Sequence, residues 1–158
     1  MPLPRTSRGS RIRGRPSMSA TPSLKPQSIW ASMPARVLWL QPPSEEPPLA
    51  EELRTRLAAV GLLVYTMAFD SSPGEACRAF DLIIMRVGTQ TVSQVASALL
   101  QIRACNYAPL ILLTDQEPFE WSLMALPTGA DAVLSIHTPE EIILARSMAL
   151  LRRWLASR

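Results

Sequence analysis

Apolar residues in this chain recur with two different periods. From Arg36 onward, short and continuously apolar runs alternate with segments whose apolar positions fall three and four residues apart. The runs are Arg36–Leu40 (RVLWL), closed by Gln41-Pro42-Pro43, then Leu62–Ala68 (LLVYTMA), Asp81–Val87 (DLIIMRV), Pro109–Thr114 (PLILLT) and Ala132–Ile136 (AVLSI). They are too short for buried helices and are bounded by turn residues, so they predict five strands. Between them, Leu49, Leu53, Leu57 and Val60 share a helical face, with Gly61 placed as a C-cap. Ser72-Pro73-Gly74-Glu75 opens a brief helix, and Gln90–Arg103 carries Val92, Val95, Ala96, Leu99, Leu100 and Ile102 on or near one stripe. Residues 117–126 predict a fourth helix. The fifth has the clearest start signal: Thr138 as N-cap, Pro139 at the first helical position and Glu141 completing a capping box, with the helix running to about Leu155.

Strands that are apolar on both faces do not suit an antiparallel sheet with one wet side. Five such strands alternating with five helices predict a parallel sheet covered on both faces, a single doubly wound α/β domain.

Composition changes this picture mainly by dividing the chain. Of 158 residues, 47% are apolar and 18% charged, which suits a folded protein. The net charge of +3 is uneven: residues 1–35 hold five Arg and one Lys and no acid, whereas residues 36–158 hold ten Arg and all thirteen acids. The basicity therefore belongs to the N-terminal segment, and the periodic part is mildly acidic, which argues against a nucleic-acid-binding face on the domain itself. Ten of the fifteen prolines lie before residue 49. Residues 1–33 are expected to be a disordered basic Pro/Ser/Arg-rich tail and residues 34–158 the domain. The tail suits an arm for nucleic acid or a membrane surface, or an acid-free transit segment, and Met33 is an alternative start. No apolar run is long enough to span a membrane or serve as a secretory signal. Cys77 and Cys105 are too few for a disulfide framework and, with the single His137, too few for a structural zinc site. The expected compartment is the cytoplasm.

In an open α/β sheet the chemistry lies at the carboxyl ends of the strands. Those ends carry Gln41 and Pro42, Phe69 and Asp70, Arg86 to Gly88, Thr114 and Asp115, and Ile136 and His137. Neither GxGxxG nor GxxxxGK follows a strand, and there is no GxSxG elbow, so dinucleotide, P-loop and hydrolase readings fail.

The element order and the C-terminal third, LILLTD at 110–115 and GADAVLSIHTPEEIILARSMALLRR at 129–153, resemble the receiver domains of bacterial two-component response regulators. The resemblance spans about residues 34–155 and implies a flavodoxin-like sheet of order 2-1-3-4-5. Receivers accept a phosphoryl group on an Asp ending strand 3, beside Mg²⁺ held by acids after strand 1, a Ser/Thr after strand 4 and a Lys after strand 5. Carried over one position at a time, the strand 1 acids fall on Gln41 and Pro42, the phosphoacceptor on Arg86, the hydroxyl on Thr114 and the Lys on Ile136. His137 takes the adjacent proline position and Val133 the aromatic switch position. Only Thr114 keeps its chemistry. The resemblance thus implies a degenerate pseudo-receiver with no phosphoacceptor, no Mg²⁺, no cofactor and no catalysis.

A cation at position 86 would repel Mg²⁺. It either pairs with Asp70 or Asp115 to lock the crevice or carries its head into solvent over its own stem. Asp115 is expected to cap or favour the following helix, and His137 to lie at the surface. With the chemistry lost, surfaces must act, and in receivers the face of helix 4, strand 5 and helix 5 is the usual contact surface. Its candidates here are Phe119, Trp121, Met124, Val133 and Trp154, with Trp154 the expected exposed anchor. Three functions follow: a protein-interaction module in signalling or transcriptional regulation, as a homodimer or with a protein partner; a nucleic-acid-associated regulator using the basic tail; or a small ligand-binding or enzymatic domain using Asp70, Thr114 and Asp115.

Overall fold

The computed structural model describes residues 34–42, 48–68 and 74–158. The expectation of a disordered tail over residues 1–33, and Phe69 and Asp70, lie outside the described residues. The elements are β1 (Arg36–Gln41), α1 (Pro48–Ala59), β2 (Leu63–Ala68), α2 (a 3₁₀ helix, Glu75–Ala79), β3 (Leu82–Val87), α3 (Val92–Cys105), β4 (Leu110–Thr114), α4 (Pro118–Thr128), β5 (Ala132–Ser135) and α5 (Glu140–Ala156). All strand pairs are parallel and the order is β2-β1-β3-β4-β5. This is the doubly wound sheet expected from the sequence.

The strand alternation divides the core between two faces. Leu38, Leu40, Ile83, Met85, Val87, Leu110 and Leu112 pack with Val95, Leu99 and Ile102 of α3 and Trp121 and Ala125 of α4. The intervening strand residues, Trp39 and Ile84 among them, are fully buried on the other face. On this side α1 contributes Leu53 and Leu57 and α5 contributes Ile143 and Leu151, all buried. β1, β3 and β4 are central and, apart from Arg36 at the start of β1, buried along their length, whereas β2 at the edge leaves Leu63 and Tyr65 exposed.

Local chemistry sets the element ends. Gly61 adopts φ 97° after α1, where its N–H bonds back to Ala58 O. Thr91 caps α3: its hydroxyl accepts from Gln94 N at 3.2 Å while Gln94 Oε1 accepts from Thr91 N at 2.8 Å, a reciprocal capping box. The box expected at Thr138 does not form. α5 begins one residue later, with Pro139 at the N-cap and no side-chain cap. Glu140 and Glu141 are directed instead to Arg56 of α1, at 3.0 and 3.7 Å. Asp115 does not cap α4 either: Glu117 is the N-cap, its carboxylate accepting from Phe119 N.

The Gly129-Ala130-Asp131 segment joins α4 to β5 at the amino end of the sheet. Gly129 has φ 135°, and a Cβ there would stand 2.7 Å from Arg103 Cγ. Arg103 donates to Gly129 O through Nε (2.9 Å) and Nη2 (2.6 Å), to Asn106 O (3.0 Å) and Ala108 O (2.7 Å) through Nη1, and to Asp131 Oδ2 (3.2 Å). Burial lowers the Arg103 pKa, opposed by the Asp131 carboxylate and Tyr107. The same Asp131 oxygen accepts from Leu110 N at 2.8 Å, and Asp131 N donates to Leu110 O, so Asp131 fastens the start of β4. One guanidinium therefore gathers the end of α3, the start of β4 and the turn into β5.

Candidate functional site

At the carboxyl end of the sheet, β1, β3, β4 and β5 lie side by side and bring Gln41, Arg86, Thr114 and Ile136 to one edge. Leu40 pairs with Met85, so Gln41 and Arg86 lie one step beyond on neighbouring strands and share a face. Arg86 is opposite Leu113, and Thr114 lies between Val87 and Ser135.

This edge is closed rather than open. Gln41 is 7% exposed, Arg86 6%, Thr114 0% and Ile136 6%. Pro42 is also buried. The Gln41 carboxamide oxygen accepts from the Trp39 indole N–H at 2.8 Å, two residues back on the same face. The Thr114 hydroxyl accepts from Gln116 N at 3.0 Å, and Ile136 N donates to Thr114 O at 2.8 Å. Ser135 Oγ accepts from His137 N, and His137 itself is exposed, as expected. The Thr114 and Ser135 hydroxyls thus bond to their own turns, and the Gln41 carboxamide oxygen to its own strand.

The expected pairing of Arg86 with Asp70 or Asp115 can be followed only for Asp115, because Asp70 lies outside the described residues. Asp115 is exposed and takes part in none of the ion pairs among the described residues. Burial of the residue contradicts the option of a guanidinium head in open solvent. Among the described residues, no three His, Cys, Asp or Glu side chains gather where they could hold a metal ion, and Gln41, Pro42 and Arg86 are poor hosts for Mg²⁺, which is bound through oxygen ligands and carboxylates.

The surface candidates separate sharply. Phe119 is 67% exposed. Trp121, two residues on, is buried in the core, its indole N–H on Gln116 Oε1 at 3.1 Å. Met124 and Val133 are partly buried and pack against the same core. Trp154 is not the exposed anchor expected of it. It is half-buried at the amino end of the sheet, donating to Asp81 Oδ1 at 3.3 Å, with the Arg158 guanidinium 5.1 Å from its ring centre. Asp81 holds that corner together, since Arg158 Nη1 reaches the same oxygen at 3.0 Å and Arg36 N donates to Oδ2 at 3.1 Å.

Two residues not singled out in the sequence complete the surface. Leu123 is 65% and Leu126 46% exposed. With Phe119 they stand at i, i+4 and i+7, one stripe of α4 turned away from the Trp121/Ala125 stripe that meets the sheet. The spacing was visible in the sequence, but α4 is apolar around most of its circumference, so periodicity does not choose which stripe is buried.

This geometry can be set beside known proteins. No family model matches the sequence, and no curated protein is similar to it. Solved structures do match. A receiver domain protein from Methanospirillum hungatei superposes with a TM-score of 0.63 at 17% identity, covering 79% of this chain and 99% of its own. A two-component response regulator from Clostridium difficile gives 0.63 at 21% identity, with 75% and 97% covered. An orphan response regulator from H. pylori gives 0.56 at 20% identity, with 74% and 96% covered. The chain therefore has the CheY-like receiver fold. No helix among the described residues is long and apolar enough to cross a membrane.

Proposed function

We propose that residues 34–158 are a receiver-like protein-interaction module in signal transduction that operates without aspartyl phosphorylation, and that residues 1–33 are a separate basic segment. The observation that carries this reading is Arg86, a guanidinium 6% exposed at the strand end where the receiver resemblance puts the phosphoacceptor. A buried cation there excludes both the nucleophile and the divalent ion that the transfer needs. The module then has surface left to act with, and the α4 stripe of Phe119, Leu123 and Leu126, on a helix that packs beside β5, is its apolar contact face. A second copy or a protein partner would cover it. The basic segment supports a second reading, contact with nucleic acid, because its six cations and absent acids suit phosphate neutralisation.

Incubation of the purified chain with acetyl phosphate and Mg²⁺, followed by intact-mass measurement, tests the first reading. No aspartyl phosphate is expected, and a stable phosphorylated species overturns it.

A further inference from the structure

The chain's two cysteines, far apart in sequence, meet at one seam. α2 and the end of α3 pack together, and Asn106 sews them: its Nδ2 donates to Cys77 O at 2.7 Å and Phe80 O at 2.9 Å, while Oδ1 accepts from Ala108 N at 2.9 Å. Asn106 directly follows Cys105, so the Cys105 backbone is pinned beside that of Cys77. Side-chain placement agrees. Cys77 N bonds to Gly74 O at 3.2 Å, an i to i+3 contact in which residues three apart eclipse one another. Cys77 therefore lies over position 74 on the same face, and a Cβ at Gly74 would stand 3.8 Å from Cys105 Sγ. Both sulfurs belong to the α2–α3 seam.

Their access to solvent differs. Cys77 is fully buried in the core, whereas Cys105 is half-buried and lines a cleft of about 360 Å³ with Arg78, Tyr107 and Trp154. Burial, reinforced by the neighbouring Cys105 thiol, pushes the Cys77 thiol up to about 11, so Cys77 is held protonated and the first reaction falls on the less buried residue, Cys105.

We propose that Cys105 and Cys77 are an oxidative modification site, in which a peroxide entering the cleft converts Cys105 to a sulfenic acid and Cys77 closes an intrachain disulfide between α2 and α3. In the first step Cys105 sulfur attacks one peroxide oxygen, the O–O bond breaks, and with hydrogen peroxide the other oxygen leaves as water. In the second, Cys77 sulfur attacks Cys105 sulfur, the S–O bond breaks, and hydroxide leaves with the proton shed by Cys77 as a second water. Two thiols lose two electrons and one peroxide gains them.

The test treats the folded full chain with hydrogen peroxide, blocks remaining thiols with an alkylating agent and maps peptides without reduction. The expected product is a monomer whose Cys77 and Cys105 peptides are cross-linked, with loss of both alkylation sites and their recovery on reduction. Cys105→Ser, at a half-buried position, should keep the wild-type circular dichroism and abolish the cross-link. Cys77→Ala should leave Cys105 trappable as a sulfenic acid; if that core variant does not fold, the wild-type map and Cys105→Ser decide alone. Full alkylation of both cysteines after oxidation, or cross-links only between two molecules, overturns the proposal.

Discussion

Gly129 shows how much one missing side chain can decide. Its φ of 135° disfavours any L residue, and the nearest atom to an added Cβ would be Arg103 Cγ at 2.7 Å, part of a side chain whose donors are all engaged. Gly129→Ala should cost about 2–3 kcal/mol of unfolding free energy, read as a lower urea midpoint at unchanged slope. Asn106→Ala removes the donor for three carbonyls and the acceptor for one amide at the α2–α3 seam. The expected loss is about 2–4 kcal/mol, by the same measurement. At this scale the sequence was legible where residue type alone decides. Arg86, Gln41 and Pro42 carry no carboxylate of their own, which needs no structure to see. It was least legible where direction decides: Trp121 and Phe119 are two aromatics on one short helix, yet one faces the sheet and the other water. Trp154 was misread for a related reason, because its indole partner, Asp81, lies 73 residues away in the chain.

Between elements, charge does what caps were expected to do. Arg56 of α1 faces Glu140 and Glu141 at the start of α5, and this contact replaces the capping box that Thr138 and Glu141 would form. Glu140 is buried, and burial together with the nearby Glu52 and Glu141 carboxylates raises its pKa despite Arg56. The folded chain thus holds the Glu140 proton more tightly than the unfolded chain. Its contribution is fully present below the ordinary carboxylate range and is lost as pH rises through the raised folded value. Glu140→Gln should therefore match wild type below about pH 4 and melt at a higher temperature near neutrality. A melting-temperature difference that stays flat across this range would refute the assignment. The reciprocal cap on α3 gives a second expectation: Thr91→Ala should lose about 1 kcal/mol, measured by thermal or urea unfolding. Edge position also explains what periodicity missed in β2. Its run LLVYTMA reads as a core strand, but with β1 on one side only, Leu63 and Tyr65 remain half in water.

For the whole molecule, the sheet and its order follow from the alternation of apolar runs and helical stripes, and the fold was read almost completely from that pattern. The working surface was not, because a surface is what remains after packing. If the α4 stripe mediates association, Leu123→Glu should abolish self-association or partner binding in light scattering while leaving the melting temperature within a degree or two, as befits an exposed position. Salt separates the two readings of function. Apolar contact at α4 should persist in high salt, whereas phosphate contact through the basic segment should weaken steeply. The buried edge formed by Gln41, Pro42 and Arg86 has a consequence for redesign as well. An Asp introduced at 86 alone would be an anion enclosed beside Leu113, and acids introduced only at 41 and 42 would bring charge to a buried edge. On the receiver-like reading proposed above, each single substitution toward a phosphotransfer site therefore carries a desolvation cost of its own before it supplies any chemistry.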